Sequence, residues 1–347
     1  SVSTLTAPGL KDFAAQGAVY RGLMHSLESG TAVHAYLLCG MSGVGKRTLA
    51  NLIGQYLLCS AGADEGMLAG LGLPPQEKPC GHCPGCVRFL DDTHPDVLRI
   101  RPEKSISVEV IRELVKQCGE HTYEGGKRVI LLEQADKMTP GAQNSLLKTL
   151  EEPQEENVFF LLTEDAGLLL PTIVSRCRVL KLHPWPDSVV EAALKNAHAP
   201  EDRIPETVRL AGGSIGQALQ TATDDSWWQR RREVMQDFFG LTNRSGILAV
   251  STKLKDKRDR SEELLRDVED MLRTVEMVHL GLLDQVHLRD YPPAWQRMAQ
   301  NADAKAFAHL MDAVFEARRL RASQETWQAV VERLLLHMTE ESTGWLT

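Results

Sequence analysis

The chain has 347 residues, 43% hydrophobic and 25% charged, which allows roughly two or three domains with their own cores. The formal net charge is −8, whereas a freestanding DNA-binding protein is usually basic because its affinity comes from neutralising phosphates. The basic runs at 227–232 and 253–260 are expected to be solvated helix faces. No apolar run approaches the roughly 18 residues that span a membrane, and the N-terminus lacks a signal-peptide pattern, so we expect a cytoplasmic protein.

The first half of the chain alternates short apolar runs with helical patterns. The runs predicted as strands are 35–40, 96–100, 128–133, 157–163 and 178–182. Apolar residues at helical spacing lie between them, for example at 107–118 and 139–152. Because continuous apolar strands separated by helices are typical of a parallel sheet covered on both faces, we predict an α/β nucleotide-binding fold.

The pattern becomes wholly helical after residues 183–188, where two prolines suggest a hinge or a domain boundary. A small helical unit is predicted next, and a helical bundle is predicted from about residue 225 to the end. The longest helical stretch in that bundle runs from 259 to 286. The segment 62–79 is rich in glycine and proline and is expected to be a surface loop.

Residues 40–48, GMSGVGKRT, nearly complete the phosphate-binding pattern G-x-x-x-x-G-K-[ST] between a predicted strand and a predicted helix. Glycines at such positions let backbone N–H groups approach phosphate oxygens, and the lysine supplies a positive charge. The residues predicted to bind nucleotide are Gly40, Gly43, Gly45, Lys46 and Thr48. The position that should carry a hydroxyl for magnesium is Arg47, however, and Thr48 lies one residue late. A tight glycine turn without a ligand is the alternative.

The second nucleotide-binding element should be a strand that ends in Asp-Glu, with the aspartate near magnesium and the glutamate activating water. This chain has Glu133 and Gln134 there. An amide has no useful proton affinity, so Gln134 cannot act as a base. Together with Arg47, this predicts a site that no longer hydrolyses ATP, while Lys46 and the loop still allow ATP or ADP to be held without turnover.

The cysteines indicate a metal site rather than disulfides. Seven cysteines without a secretion signal do not suggest a disulfide framework, and three of them lie in PCGHCPGC. The predicted metal ligands are Cys59, Cys80, Cys83 and Cys86. Four thiolates on tight turns suit tetrahedral zinc in a closed structural site, with His82 as an alternative fourth ligand and free thiols as the alternative to a metal.

Taken together, these motifs resemble the bacterial DNA polymerase III clamp-loader AAA+ family. The resemblance covers most of residues 20–183. It is carried by the phosphate loop, the cysteine cluster, THPDVLRI (93–100), NSLLKTLEEP (144–153) and IVSRC (173–177). It implies an AAA+ core at 1–183, a helical lid at 184–223 and an oligomerising helical collar at 224–347.

The family contains gamma and tau motor subunits, which hydrolyse ATP, and delta-prime subunits, which normally do not. Arg47, Glu133 and Gln134 all depart from the motor pattern. Gly216 stands where the resemblance places the lid arginine that motors need. The resemblance therefore implies a delta-prime-like subunit of the DNA polymerase III holoenzyme, a DNA-directed DNA polymerase and nucleotidyltransferase assembly, with no ATPase or polymerase activity of its own.

The resemblance also assigns a role to Arg176, the arginine of the Ser-Arg-Cys motif. It implies an arginine finger that reaches the ATP site of a neighbouring motor, whereas the residues alone would indicate an ordinary surface arginine. Thr163 falls at the family's sensor-1 position, and we assign it no catalytic role because the rest of the site is impaired.

The implied partners are gamma or tau motors and a delta subunit in a hetero-pentamer, with the sliding clamp and primed DNA reached through the complex. Two other functions stay open. One is a gamma/tau-like ATPase that uses Thr48 and Glu133. The other is a zinc-containing nucleic-acid-binding module, which the acidic charge disfavours.

Overall fold

The computed structural model describes residues 8–61, 70–72 and 77–344. Most of the surface loop predicted at 62–79 lies outside the described residues. The chain divides into two compact units; the first comprises residues 1–199 and 208–220, and the second comprises 200–207 and 221–347. The division into core, lid and collar stays a prediction. Within the described ranges, no helix combines the length and apolarity needed to cross a bilayer.

A five-stranded sheet forms the centre of the first unit. Its strands are β1 (Ala35–Cys39), β2 (Val97–Ile100), β3 (Arg128–Leu132), β4 (Asn157–Thr163) and β5 (Arg178–Lys181). They are parallel and lie in the order β2-β3-β4-β1-β5. Every residue of β1, β3 and β4 is buried, so both faces of the central sheet are covered, as the continuous apolar runs require. The α/β prediction is confirmed.

Helices connect the strands and continue beyond the sheet. Within the described ranges, those up to residue 199 include α1 (Ala18–Glu28), α2 (Lys46–Leu58), α3 (Pro84–Leu90), α4 (Val108–Cys118), α5 (Pro140–Glu151), α6 (Pro171–Val174) and α7 (Asp187–Asn196). The next two are α8 (Ile204–Ala211) and α9 (Ile215–Thr223). The helices predicted at 107–118 and 139–152 match α4 and α5. Their apolar faces pack on the sheet in one cluster that includes Ile111, Leu146 and Phe159.

The second unit is helical, as predicted. Its helices are α10 (Asp225–Val234), α11 (Ile247–Leu254), α12 (Ser261–His279), α13 (Pro293–Asn301), α14 (Ala304–Arg321) and α15 (Trp327–Thr343). One buried cluster joins them and includes Trp295, Phe307 and Leu335. The helical stretch predicted at 259–286 is wrong at its C-terminal end. Helix α12 stops at His279 because Gly281 adopts a φ of +71°, the left-handed conformation that ends helices.

The basic run at 227–232 is not a solvated face throughout. Trp228 and Arg231 are buried, and the Arg231 guanidinium lies 3.6 Å from carboxylate oxygens of both Glu206 and Asp290. This arginine is therefore used inside the second unit, and that part of the expectation is wrong.

The parallel direction of the strands divides the sheet into two functional edges. The segments that follow β1, β3 and β4 meet at the carboxyl edge, where open α/β sheets usually bind ligands. The segment that precedes β5 lies at the opposite, amino edge. Even the four residues of β5 span about 13 Å at 3.3 Å per residue, so groups on the two edges are far apart.

The carboxylate of Asp96, immediately before β2, stabilises the amino edge of the sheet, and a substitution can test this role. It is fully buried and accepts hydrogen bonds from the backbone N–H groups of Tyr123, at 2.8 Å, and Glu124, at 3.0 Å. Removing both acceptors in Asp96→Ala should lower the free energy of unfolding by about 2–3 kcal/mol in urea titrations. The exposed Asp91→Ala should change it by less than about 0.5 kcal/mol. Equal effects of the two changes would contradict this role.

Candidate functional site

The predicted phosphate loop is a strand–loop–helix turn at the carboxyl edge of the sheet. It follows β1, and α2 begins directly after it at Lys46. Its glycines have φ values of +151° at Gly40, +75° at Gly43 and +109° at Gly45. Side-chain-bearing residues rarely adopt these conformations, so the loop needs glycine at these positions.

Residues 208–220, which belong to the same unit, lie directly against the loop. The hydroxyl of Ser214 donates to the carbonyl of Ser42 at 2.8 Å, and the N–H of Gly216 donates to the carbonyl of Gly43 at 2.9 Å. A β-carbon on Gly216 would lie 2.8 Å from the Cα of Gly43. Gly216, which stands where the resemblance places the lid arginine, therefore packs so closely on the loop that a larger residue would clash. The contact of Ser214 had no signal in the sequence motifs.

Two further side chains bind the carbonyl oxygens of this loop. The indole Nε1 of Trp185 donates to Val44 at 2.7 Å, and the amine of Lys46 donates to Gly40 at 2.5 Å and to Met41 at 3.0 Å. Burial lowers the pKa of Lys46 from its ordinary value. The amine that would bind a phosphate thus uses two of its three donors on the loop's own backbone.

Arg47, which replaces the magnesium-binding hydroxyl, forms an ion pair with Glu133. Glu133 is only 4% exposed and also pairs with Arg101, whose Nε lies 3.2 Å from its carboxylate. Two guanidinium groups therefore neutralise the one carboxylate at the end of β3. A guanidinium is a donor only and cannot bind a cation, so both arginines compete with a metal ion for the oxygens of Glu133.

The remaining predicted nucleotide-site residues do not form a water-activating group. Gln134 adopts a left-handed conformation, with φ of 50° and ψ of 54°. The hydroxyl of Thr163 lies 3.0 Å from a carboxylate oxygen of Asp136 and 3.1 Å from the carbonyl oxygen of Asp165. Thr48 is half-buried on α2. None of these side chains supplies a base at the end of β3.

The predicted metal ligands come together between the end of α2 and the start of α3. The sulfur atoms of Cys59, Cys80, Cys83 and Cys86 lie within 4.8 Å of one another. The sulfurs of Cys59 and Cys83 are 3.9 Å apart, and a tetrahedral ion with Zn–S bonds of about 2.3 Å would place them about 3.8 Å apart. The donor set and spacing therefore fit a structural zinc ion with no open coordination position.

Protonation of these thiols depends on their surroundings. Burial raises the pKa values of Cys59 and Cys86. Burial would raise that of Cys83 too, but hydrogen bonds from the backbone N–H of Cys86 and from Ser60 outweigh it and lower the pKa to about 5. A metal must displace protons from the first two thiols, so its affinity should fall as the pH falls.

A second group of possible ligands, His94, Asp96 and Glu124, does not suit a metal. The N–H of Asp96 donates to Nδ1 of His94 at 3.1 Å, which leaves the proton of a neutral ring on Nε2. That Nε2–H faces Glu124 at 3.5 Å and has no lone pair for a metal. The group therefore joins β2 to the loop around residue 124 as a structural contact.

Arg176 lies between α6 and β5, at the amino edge of the sheet. Its guanidinium pairs with Glu151, the last residue of α5, and Nη1 donates to the carbonyl of Thr172 at 2.7 Å. The side chain is 31% exposed beside a cavity of about 690 Å³. Residues lining the cavity include His34, Lys127, Glu155, Arg176 and Arg178. The sequence motifs did not indicate that Glu151 pairs with Arg176, although Glu151 lies in the NSLLKTLEEP segment.

Comparison with known proteins shows which family the chain resembles. A family model described as "DNA polymerase III, delta subunit" matches residues 15–186. The "DNA polymerase III subunit delta′" of Escherichia coli K12 is 35% identical over 215 residues, which cover 61% of this chain and 61% of that protein. The chain is therefore similar to the delta-prime subunits of the bacterial DNA polymerase III clamp loader. It is delta-prime-like, and its parallel sheet and helical C-terminal region fit the AAA+ fold predicted for it.

Two other relatives show how far the similarity extends. The subunit delta′ of Bacillus subtilis 168 is 28% identical over 339 residues, which cover 94% of this chain and 96% of that protein. The "DNA polymerase III subunit tau" of Escherichia coli K12 is 28% identical over 301 residues, which cover 82% of this chain and 44% of that protein. The chain therefore shares sequence with delta-prime proteins and with a tau protein.

Changing one cysteine tests the metal site. Cys83→Ser removes one of the four thiolates. The zinc content of the purified chain should therefore fall from about one ion per chain to near zero, and the unfolding temperature should fall as well. Metal analysis and thermal unfolding measure the two effects. The matched change Cys177→Ser lies outside the cluster and should retain the ion. Zinc that persists in Cys83→Ser would contradict the four-cysteine site.

Proposed function

We propose that this chain is a delta-prime-like subunit of the bacterial DNA polymerase III clamp loader. It does not hydrolyse ATP itself. It donates Arg176 as an arginine finger to the ATP site of a neighbouring motor subunit while the loader places the sliding clamp on primed DNA. The four cysteines hold a structural zinc ion, and any ATP or ADP at the phosphate loop stays unhydrolysed.

The observation that carries this proposal is the position of Arg176. It lies at the amino edge of the sheet, whereas the phosphate loop, Lys46 and Glu133 lie at the carboxyl edge. Because a strand length separates the two edges, Arg176 cannot serve the loop of its own chain. A partly exposed guanidinium beside a cavity is instead available to a phosphate that another subunit brings.

The lack of hydrolysis is supported by three separate features of the carboxyl edge. Arg47 and Arg101 neutralise Glu133, Gln134 offers no base, and Gly216 packs on Gly43 where a motor needs an arginine. A motor subunit uses a bound metal ion, a carboxylate base for the attacking water and a lid arginine on the γ-phosphate, and each feature removes one of these groups.

The proposed partners follow from this arrangement and from the relatives. A gamma or tau motor would lie on the Arg176 side, a delta subunit on the other side, and the C-terminal helices would close a hetero-pentameric ring. The sliding clamp and primed DNA are reached through that complex. We propose that the ring works in the cytoplasm.

A gamma/tau-like ATPase is the second candidate function. It is favoured by the similarity to a tau protein over 301 residues and by the presence of Lys46. In that case Thr48 and Glu133 would have to take over magnesium binding.

Replacing Arg176 tests the finger. In Arg176→Ala the ATP at the adjoining motor site should be hydrolysed about 10³-fold more slowly, because a trans arginine stabilises charge on the γ-phosphate. The measurement is ATP turnover of the reconstituted loader with clamp and primed DNA, with assembly followed by size exclusion. Arg112→Ala, at an exposed position on α4, is the control and should have no effect. Unchanged turnover in Arg176→Ala would eliminate the finger.

Replacing Lys46 separates the two candidate functions. If this chain does not hydrolyse ATP, Lys46→Ala should leave the loader's turnover within about twofold of the wild type, because no reaction depends on this amine. The equivalent lysine change in the motor subunits should abolish turnover in the same assay. A comparable loss caused by Lys46→Ala in this chain would favour the ATPase.

A further inference from the structure

We propose that Glu151 is a positioning residue that binds the guanidinium of Arg176 and releases it only when a nucleotide phosphate of the neighbouring subunit competes for it. This inference rests on the proposed function of Arg176. It adds a regulatory step at the same site: the finger is restrained until the partner site is loaded and closed.

The contacts of Arg176 show how it is restrained. Nη2 pairs with the carboxylate of Glu151, and Nη1 donates to the carbonyl of Thr172 at 2.7 Å and to the hydroxyl of Ser175 at 3.3 Å. The planar group is thus held against its own chain by a carboxylate and two neutral acceptors. A γ-phosphate needs the same N–H groups, so the two partners of the guanidinium compete for it.

Two other cations that line the cavity, Lys127 and Arg178, differ from Arg176 in the kind of oxygen atom that they contact. Lys127 donates to the carbonyl of Glu155 at 2.6 Å, and Arg178 donates to the hydroxyl of Ser26 at 2.7 Å, so both contact neutral oxygen atoms. Glu151 neutralises Arg176 specifically. While that pair is intact, the finger presents little net charge to a phosphate.

The strength of the pair suits a restraint that can be reversed. The side chains of Glu151 and Arg176 are 46% and 31% exposed. An ion pair at such a position favours the paired state over the unpaired state by at most about fivefold. A triphosphate offers the guanidinium several charge-assisted hydrogen bonds, which can be bidentate and are stronger than a single exposed ion pair. A bound triphosphate at the partner site can therefore displace Glu151, whereas an empty or open partner site leaves the finger paired.

The test is Glu151→Gln in the reconstituted loader, with ATP turnover measured with and without clamp and primed DNA. Without them, turnover should rise about two- to fivefold, because the competing charge is gone. With them, turnover should stay within about twofold of the wild type, since the phosphate already displaces Glu151. Glu152→Gln, at the adjacent exposed residue, should change neither rate.

The double variant Glu151→Gln/Arg176→Ala separates this inference from the proposed function. If Glu151 acts through the guanidinium, the double variant should match Arg176→Ala in both rates. Two results would overturn the role of Glu151 alone. In the first, Glu151→Gln raises the unstimulated turnover equally with Arg176 present and with Arg176→Ala. In the second, Glu151→Gln does not raise the unstimulated turnover although Arg176→Ala is severely impaired. If Arg176→Ala itself retains full turnover, the finger and its restraint both fail.

Discussion

The parallel pairing of β1 between β4 and β5 determines where each functional group lies. It places the loop after β1 beside the ends of β3 and β4, and it puts the segment before β5 at the opposite edge. The phosphate loop and Arg176 are separated for this reason, and the short sequence motifs that predicted them did not show this separation. Under the proposed function, this separation lets the chain lose hydrolysis at its own phosphate loop and still offer Arg176 to another subunit.

Ion pairs with two arginines stabilise the buried carboxylate of Glu133 at the carboxyl edge. A buried carboxylate such as Glu133 is costly unless it is paired, and in an active site a cation would normally serve that purpose. Here Arg47 and Arg101 supply the charge from the chain itself. The loop also keeps its glycines for a structural reason, because Gly43 and Gly216 must approach closely.

Much of the fold followed from the sequence because the buried strands are continuous apolar runs, and each strand lay within one residue of its predicted ends. The cysteine cluster followed from its spacing. The end of α12 was missed because the apolar pattern continues past Gly281. The burial of Arg231 and the pairing of Glu151 with Arg176 were missed because these contacts join residues that are distant in sequence, and local periodicity carries no information about them.

The most direct test is a structure of the reconstituted loader with a non-hydrolysable ATP analogue. We expect the Arg176 guanidinium within about 2.7–3.0 Å of the γ-phosphate at the neighbouring motor site, and Glu151 no longer bound to it. Arg47 should still pair with Glu133 in this chain. An analogue with magnesium bound at this chain's own phosphate loop, with Arg176 still held by Glu151, would contradict the account.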